Sequence, residues 1–123
     1  MSIWVRLNSS FNNACKGLLL AFRQELSFRI QLAIGLFITS LAFLFPLERW
    51  ERSVIILAIS AVLVLELLNS IIERFVDMVK PRVHEYARDI KDLAAASVLL
   101  MACAAVILAA IIFLPYFHLL VNL

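Results

Sequence analysis

The stretch that decides the fold is SVIILAISAVLVLELLNSIIERFVD, residues 53–77, which is apolar over most of its length. Residues 53–72 carry a single formal charge, that of Glu66. About 20 consecutive apolar residues are what an α-helix needs to cross a bilayer. The stretch therefore predicts a transmembrane helix with a polar segment at its end.

Four oxygen-bearing side chains follow one face of this predicted helix. At about 100° per residue, Glu66, Asn69, Glu73 and Asp77 fall within an arc of about 80°; we call them the acidic column. An ionisable side chain at membrane depth is costly and commonly marks a functional site. A helix that has simply left the bilayer would explain Asp77 equally well. It explains Glu66 poorly, because apolar residues lie on both sides of it.

Composition assigns the whole chain to the membrane. Its residues are 64% hydrophobic and 16% charged, against about 45–50% and about 25% in soluble domains. Two further uncharged apolar runs, residues 32–47 and 93–123, accompany the first. We therefore predict an all-α membrane protein that forms a single domain over residues 1–123. Its transmembrane spans are expected at about residues 28–46, 52–78 and 89–117.

The first residues, about 1–24, predict a different kind of helix. Apolar residues recur there at helical spacing and polar residues lie largely elsewhere, which is typical of an amphipathic helix in the membrane interface. A signal peptide is the alternative, but no short apolar core with a small-residue cleavage site is present. The apolar face consists of Ile3, Trp4, Leu7, Phe11, Cys15, Leu18, Leu19 and Phe22.

Basic residues predict the orientation of the chain. Nine of the eleven lysines and arginines precede the first span or lie between the second and third, whereas Arg49 and Arg52 in the short connection are balanced by Glu48 and Glu51. By the positive-inside rule, the N-terminus and the acidic column are cytoplasmic and the C-terminus is outside. The expected location is the bacterial inner membrane.

The acidic column suggests metal and phosphate chemistry. Mg²⁺ is commonly held by one or two carboxylates together with substrate phosphates, and Glu73 and Glu25 are candidates. The polar segment DMVKPRVHEYARDIKD, residues 77–92, could cover a nucleotide beside them. With two glycines in the chain, neither a Walker loop nor a kinase glycine loop exists. A net charge of +2 without a basic stripe argues against nucleic acid.

The residues that carry a family resemblance extend over nearly the whole chain. The pattern Glu66-x-x-Asn69-x-x-x-Glu73-x-x-x-Asp77, with Lys91-Asp92 after a polar segment, strongly resembles the small prokaryotic diacylglycerol kinases, a family that includes undecaprenol kinases. Three upstream features fall at family-like spacing as well. They are Lys16-Gly17-Leu18, the stretch ELSFR at residues 25–29, and Arg52 at the start of the second span.

The resemblance implies a fold and an activity. The fold is a homotrimer of subunits with three spans and a surface helix, and the active sites are shared between neighbouring subunits. The activity is transfer of the γ-phosphoryl group of MgATP to the hydroxyl of a membrane lipid alcohol, with diacylglycerol giving phosphatidic acid. Undecaprenol is the alternative substrate.

Site roles follow from the same resemblance, position by position. Glu66 is implied as the catalytic base, and Glu25 and Glu73 as the metal and nucleotide carboxylates. The other implied nucleotide contacts are Arg6, Asn13, Asp77, Arg82, Val83, His84, Lys91 and Asp92. The implied lipid contacts are Arg52, Asn69 and Ala95, together with Glu66.

Some positions depart from the diacylglycerol kinase pattern. Asn13 replaces an aromatic nucleotide contact, and Arg29-Ile30-Gln31 and residues 91–96 are closer to the undecaprenol kinase branch, so the lipid substrate stays open. A proton or cation pathway subunit is a hypothesis of another class, with Glu66 as a relay. No Asp, Glu, Lys, Arg or His in residues 93–117 would continue such a path.

Overall fold

The computed structural model describes residues 1–79 and 85–123 of the chain. These residues form helices, with no strand among them. The helices are α1, Ile3–Gln24; α2, Leu26–Leu44; and α3, Arg49–Val121. Three segments are long and apolar enough to cross a membrane, Leu26–Leu44, Arg49–Val79 and Glu85–Val121, which we call spans 1, 2 and 3. The prediction of an all-helical chain with three candidate spans is confirmed.

A single residue separates α1 from α2. The first helix begins after Ser2, whose hydroxyl accepts a hydrogen bond from the Val5 amide at 3.4 Å, as N-terminal capping residues do. It ends at Glu25, which has extended backbone angles (φ −110°, ψ 105°). Because no loop intervenes, the side chain of Glu25 is fixed at the joint between the two helices.

Proline and charge define the connection between spans 1 and 2. Phe45, which precedes Pro46, is extended (φ −80°, ψ 151°) and ends α2, as expected for a residue before proline. On the other side, the Glu51 carboxylate accepts a hydrogen bond from the Glu48 amide at 2.8 Å, at the first turn of α3. α2 therefore ends at Leu44, two residues before Pro46.

Arg52 joins the end of span 1 to the start of span 2. Its Nε donates to the Ala42 carbonyl at 2.9 Å and its Nη2 donates to the Phe45 carbonyl at 3.3 Å. Carbonyls at a helix C-terminus lack partners within the helix, so this guanidinium satisfies the Ala42 carbonyl and adds a second donor to the Phe45 carbonyl, which also accepts from the Leu47 amide at 2.8 Å.

Spans 2 and 3 run antiparallel. Near the start of span 2, Glu51 accepts a hydrogen bond from the Tyr116 hydroxyl at 2.7 Å, near the end of span 3. At the opposite ends, the Lys91 ammonium lies 2.7 Å from the Asp77 carboxylate. Span 3 continues through Pro115 to Val121. In its last turns, Tyr116 contacts Glu51, and the rings of Phe117 and Phe45 pack in a T-shaped pair with centroids 5.1 Å apart.

The packed core lies at the Tyr116 end of the spans. It consists of Ala42, Leu47, Ile55, Ile112 and Phe113, all buried. Further along, span 1 approaches span 2 closely at Gly35, where an added Cβ would lie 2.7 Å from the Ile59 Cγ2. Glycine is therefore needed there for the distance between the helices, and this contact sets span 1 beside the acidic column.

Candidate active site

Glu66 is buried between spans 1 and 2. Its residue surface is 5% exposed, and its Oε2 accepts a hydrogen bond from the Gln31 Nε2 at 3.1 Å. A solvated charge on a helix that has left the bilayer would be exposed. That interpretation is therefore wrong for Glu66, whose burial needs another explanation.

Asn69 lies one turn further along and leaves an acceptor unused. Its Nδ2 donates to the Glu73 Oε1 at 3.3 Å, which is the contact expected for side chains four residues apart on a helix. Its Oδ1 is buried and has no hydrogen-bond partner among the described residues. Because an unsatisfied buried polar atom costs about 1–3 kcal/mol, this oxygen indicates a place for a hydrogen-bond donor or a cation.

The joint between α1 and α2 brings Glu25 to the acidic column. The carboxylates of Glu73 and Glu25 both interact electrostatically with that of Glu66. Glu25 is held by Arg74, whose Nη2 lies 3.1 Å from the Glu25 Oε1 and 2.9 Å from the Gln24 Oε1. Glu25 therefore lies near the acidic column, although it is 41 residues from Glu66 along the chain.

An ion pair lies at the end of spans 2 and 3 that is predicted to face the cytoplasm. Lys91 of span 3 donates to the Asp77 Oδ1 at 2.7 Å, so the last member of the acidic column is joined to the first turns of span 3. Asp92, next to Lys91, is exposed. Glu25, Glu73, Arg74, Asp77 and Lys91 therefore lie at the end of the spans opposite to the apolar core.

An apolar groove leads toward Glu66 from the other direction. Its volume is about 310 Å³, and all three spans contribute to it. Gln31 is its polar residue, and the same side chain donates to Glu66, so it joins the groove to the buried carboxylate. The remaining lining residues are Ile34, Gly35, Ile38, Ile55, Ala58, Ile59, Val62, Ala102, Ala105, Val106, Leu108 and Ala109.

The sequence that forms this buried carboxylate, apolar groove and polar cluster matches a known protein family. Residues 12–113 match the family described as prokaryotic diacylglycerol kinase. The chain belongs to the prokaryotic diacylglycerol kinase family. This is a kinase family, and with three candidate spans the chain is a multi-pass bacterial membrane protein.

Relatives in this family carry two names. The chain is 40% identical over 107 residues to a diacylglycerol kinase of Synechocystis sp., an alignment that covers 86% of the chain and 61% of that relative. It is 34% identical over 110 residues to an undecaprenol kinase of Bacillus subtilis, covering 89% of each. A diacylglycerol kinase of Pseudomonas aeruginosa is 34% identical over 92 residues, covering 75% of each.

Not every residue implied by the resemblance to prokaryotic diacylglycerol kinases lies near the acidic column in one chain. Arg6 and Asn13 are exposed on α1. With a rise of about 1.5 Å per residue, they lie about 28 Å and about 18 Å from Glu25 along that helix. Ala95 is exposed on span 3, and Arg52 lies at the opposite end of span 2 from Asp77. Arg82, Val83 and His84 lie outside the described residues.

Two residues of the site were not predicted from the sequence. Gln31 is recognisable afterwards as a polar residue in an otherwise apolar span, although its hydrogen bond to Glu66 depends on the packing of spans 1 and 2. In the sequence, Arg74 contributed only to the prediction of orientation, as one of the basic residues on the cytoplasmic side. Its pairing with Glu25, 49 positions away, has no signal in the sequence.

The carboxylates of the site fit a metal that is also bound by substrate. Among residues 1–79 and 85–123, no three acidic, histidine or cysteine side chains are grouped so that they alone could hold a metal ion. Mg²⁺ in phosphoryl-transfer sites commonly has only one or two carboxylate ligands and takes the rest from phosphates and water. Glu25 and Glu73, with the unpartnered Asn69 Oδ1 nearby, supply a donor set of that kind.

Proposed function

We propose that the chain is an ATP-dependent lipid kinase that transfers the γ-phosphoryl group of MgATP to the hydroxyl of diacylglycerol, giving phosphatidic acid at the cytoplasmic membrane interface. One observation carries this proposal: the buried Glu66 carboxylate lies between an apolar groove and a cluster of acidic and basic side chains. A lipid alcohol cannot leave the bilayer and ATP cannot enter it. Their reaction needs a site with these two sides.

Glu66 is proposed as the general base. It accepts the proton of the lipid hydroxyl as the hydroxyl oxygen bonds to the γ-phosphorus, and the bond to the β-phosphate oxygen breaks to release ADP. Gln31 holds one oxygen of the carboxylate through its amide, which leaves the other oxygen for the substrate. Positioning of this kind is a large part of catalysis in phosphoryl transfer.

Charge neutralisation is the second requirement of the reaction. Mg²⁺, bound by Glu25 and Glu73 together with phosphate oxygens, would neutralise the negative charge of the transferred group. Asp77, Lys91 and Asp92 are proposed as nucleotide contacts at the polar end of the spans. The ion pair between Lys91 and Asp77 supports this assignment, because it holds the lysine beside the acidic column.

A homotrimer is proposed because Arg6 and Asn13 are too far from Glu25 along α1 to join the same site within one chain. In a trimer with shared active sites, the α1 of a neighbouring subunit supplies these two residues to the nucleotide. This requires α1 to lie along the cytoplasmic surface of the membrane, with the N-terminus inside and the C-terminus outside. The assembly is proposed for a single domain that comprises residues 1–123.

The test is transfer of labelled phosphate from ATP to a lipid by the purified protein. We expect labelled phosphatidic acid when dioleoylglycerol is supplied, and loss of the product when Mg²⁺ is chelated. The control omits the lipid, so that hydrolysis of ATP is measured separately. Absence of labelled lipid from every alcohol in a panel would contradict the proposal.

Undecaprenol is a second candidate substrate, and the groove favours it in one respect. Gln31 is the polar residue of the lining, and its amide nitrogen already donates to Glu66. The ester carbonyls of diacylglycerol would find few donors there, whereas a polyprenol has no polar group besides its hydroxyl. Initial rates on dioleoylglycerol and undecaprenol in the same detergent distinguish the two. A strong preference for undecaprenol would show that undecaprenol, and not diacylglycerol, is the substrate.

A further inference from the structure

Arg74 is a cation within the acidic site that none of the roles above uses. It follows Glu73 directly on span 2, and its Nη2 lies 3.1 Å from the Glu25 Oε1 and 2.9 Å from the Gln24 Oε1. Glu25 is a proposed metal ligand. The guanidinium therefore lies in contact with the carboxylate that would hold the metal, at the joint between α1 and α2.

The guanidinium has donors to spare. Arginine offers five N–H groups, and both contacts of Arg74 use Nη2. Within residues 1–79 and 85–123, its Nε and Nη1 have no hydrogen-bond partner, and 46% of the side-chain surface is exposed. Lys91, the other cation in an ion pair at this site, is already bound to Asp77 at 2.7 Å.

A nucleotide bound at this site would need cationic donors to offset the negative charge around it. Glu25, Glu66, Glu73 and Asp77 make the site strongly acidic, while a nucleoside triphosphate brings further negative charge even when a divalent cation is bound. Arginine suits phosphate oxygens because its planar group can donate two parallel hydrogen bonds. An arginine fixed by Glu25 is held in position before the phosphates arrive, which lowers the entropy cost of binding them.

We propose that Arg74 is a phosphate-binding residue of the nucleotide site, held in place by Glu25 and Gln24 through Nη2 and bound to the β- and γ-phosphate oxygens through Nε and Nη1. Glu25, which would hold the metal ion, would then also position the guanidinium. This inference rests on the proposed kinase function, since it assigns a residue to the triphosphate of that reaction.

The test is equilibrium binding of a non-hydrolysable ATP analogue, with Mg²⁺, to the purified protein in detergent. Arg74→Gln is expected to weaken binding of the analogue about tenfold, in keeping with the loss of charge-assisted hydrogen bonds. Arg74→Lys should recover part of the affinity. Binding of AMP, which lacks the β- and γ-phosphates, should not change. The matched control is Arg49→Gln, which removes the same charge from the opposite end of span 2.

The outcomes separate this inference from the kinase proposal. If Arg74→Gln weakens AMP and the ATP analogue equally and lowers the thermal unfolding temperature, Arg74 only clamps the joint between α1 and α2, and the inference is wrong. Unchanged affinity for the analogue would also overturn it. If the wild-type protein binds no nucleotide and phosphorylates no lipid, the kinase proposal itself fails.

Discussion

Glu66 shows how one buried side chain connects two environments. The residue is buried, its carboxylate accepts a hydrogen bond from the Gln31 amide of span 1, and that amide also lines an apolar groove. Burying a charge in this way is costly unless it is hydrogen-bonded or used. The cost is understandable if the carboxylate accepts the proton of a lipid hydroxyl, which needs a base on the membrane side of the polar cluster.

Replacing Glu66 by glutamine tests that role directly. Glu66→Gln keeps the shape and a hydrogen-bonding group but removes the base, so we expect phosphoryl transfer to fall about 10²- to 10⁴-fold. The thermal unfolding temperature should fall little. The measurement is the initial rate of labelled lipid formation, beside an unfolding scan. The control is Glu85→Gln, an exposed glutamate of span 3. Near-normal turnover in Glu66→Gln would exclude it as the base.

Helix contacts decide where the site residues lie. Span 1 reaches span 2 closely because residue 35 is glycine, and this contact places Gln31, one turn away, against Glu66. At the other end of the same pair of spans, Arg52 donates to the carbonyls of Ala42, in α2, and of Phe45, just after it. Both contacts are between helices, so changes in them should affect stability first and activity through the position of span 1.

The close approach at Gly35 predicts a destabilising substitution. In Gly35→Ala the new Cβ would lie 2.7 Å from the Ile59 Cγ2, so the spans must separate, at a cost of about 1–3 kcal/mol. Gly17→Ala is the matched control, because a Cβ at residue 17 has no atom within 4 Å, and alanine favours helix by about 1 kcal/mol. The free energy of unfolding, measured in detergent, should be lower for Gly35→Ala than for the wild type. A stability equal to that of Gly17→Ala would contradict the predicted clash.

Arg52 has a structural role in addition to the lipid contact implied by the resemblance. Arg52→Gln removes charged hydrogen bonds to the Ala42 and Phe45 carbonyls and should lower the free energy of unfolding by about 1–3 kcal/mol. Arg49→Gln, an exposed neighbour, should change it by less than about 0.5 kcal/mol. The KM for lipid, measured alongside, tests the lipid contact. A raised KM with unaltered stability would favour the lipid role and exclude the capping role.

On the scale of the whole molecule, the two ends of the spans differ in how their polar side chains are used. The Lys91–Asp77 and Arg74–Glu25 pairs lie at one end, and the core around Ala42, Ile112 and Phe113 lies near the other. The first of these ends carries Glu25, Glu73 and Asp77 with two cations, whereas at the second end Glu51 accepts from Tyr116 and Arg52 donates to backbone carbonyls. The proposed reaction therefore requires the first end to face the cytoplasm, where ATP is found.

Cysteine labelling tests this orientation. Cys15, on α1, is exposed and is expected on the cytoplasmic side. Because Cys15 belongs to the apolar face of α1, the probe is a cysteine at exposed Ser9 on the opposite face. With Cys15 and Cys103 replaced by serine, a membrane-impermeant maleimide should label Ser9→Cys in inverted vesicles and not in right-side-out cells until they are permeabilised. Labelling in intact cells would reverse the orientation and contradict the positive-inside prediction. The variant with Cys15→Ser and Cys103→Ser but without Ser9→Cys is the control for labelling elsewhere.

The sequence by itself determined the membrane class, the three spans and the acidic column. These features depend on the length of apolar runs and on the period of the helix. Both are properties of short stretches of sequence, so they can be read without knowing the tertiary structure. The end of α2 before Pro46 is of the same kind. The motif was also sufficient to predict the family, because the spacing of its acidic residues follows from one face of a single helix.

Only the tertiary structure decided which side chains meet across helices. The Gln31–Glu66 bond, the Arg74–Glu25 pair and the Arg52 contacts join residues on different helices. Each depends on how closely two helices approach and on their relative rotation, and these follow from side-chain packing such as that at Gly35. The sequence therefore predicted the residues of the acidic column, while packing decided which partners hold them.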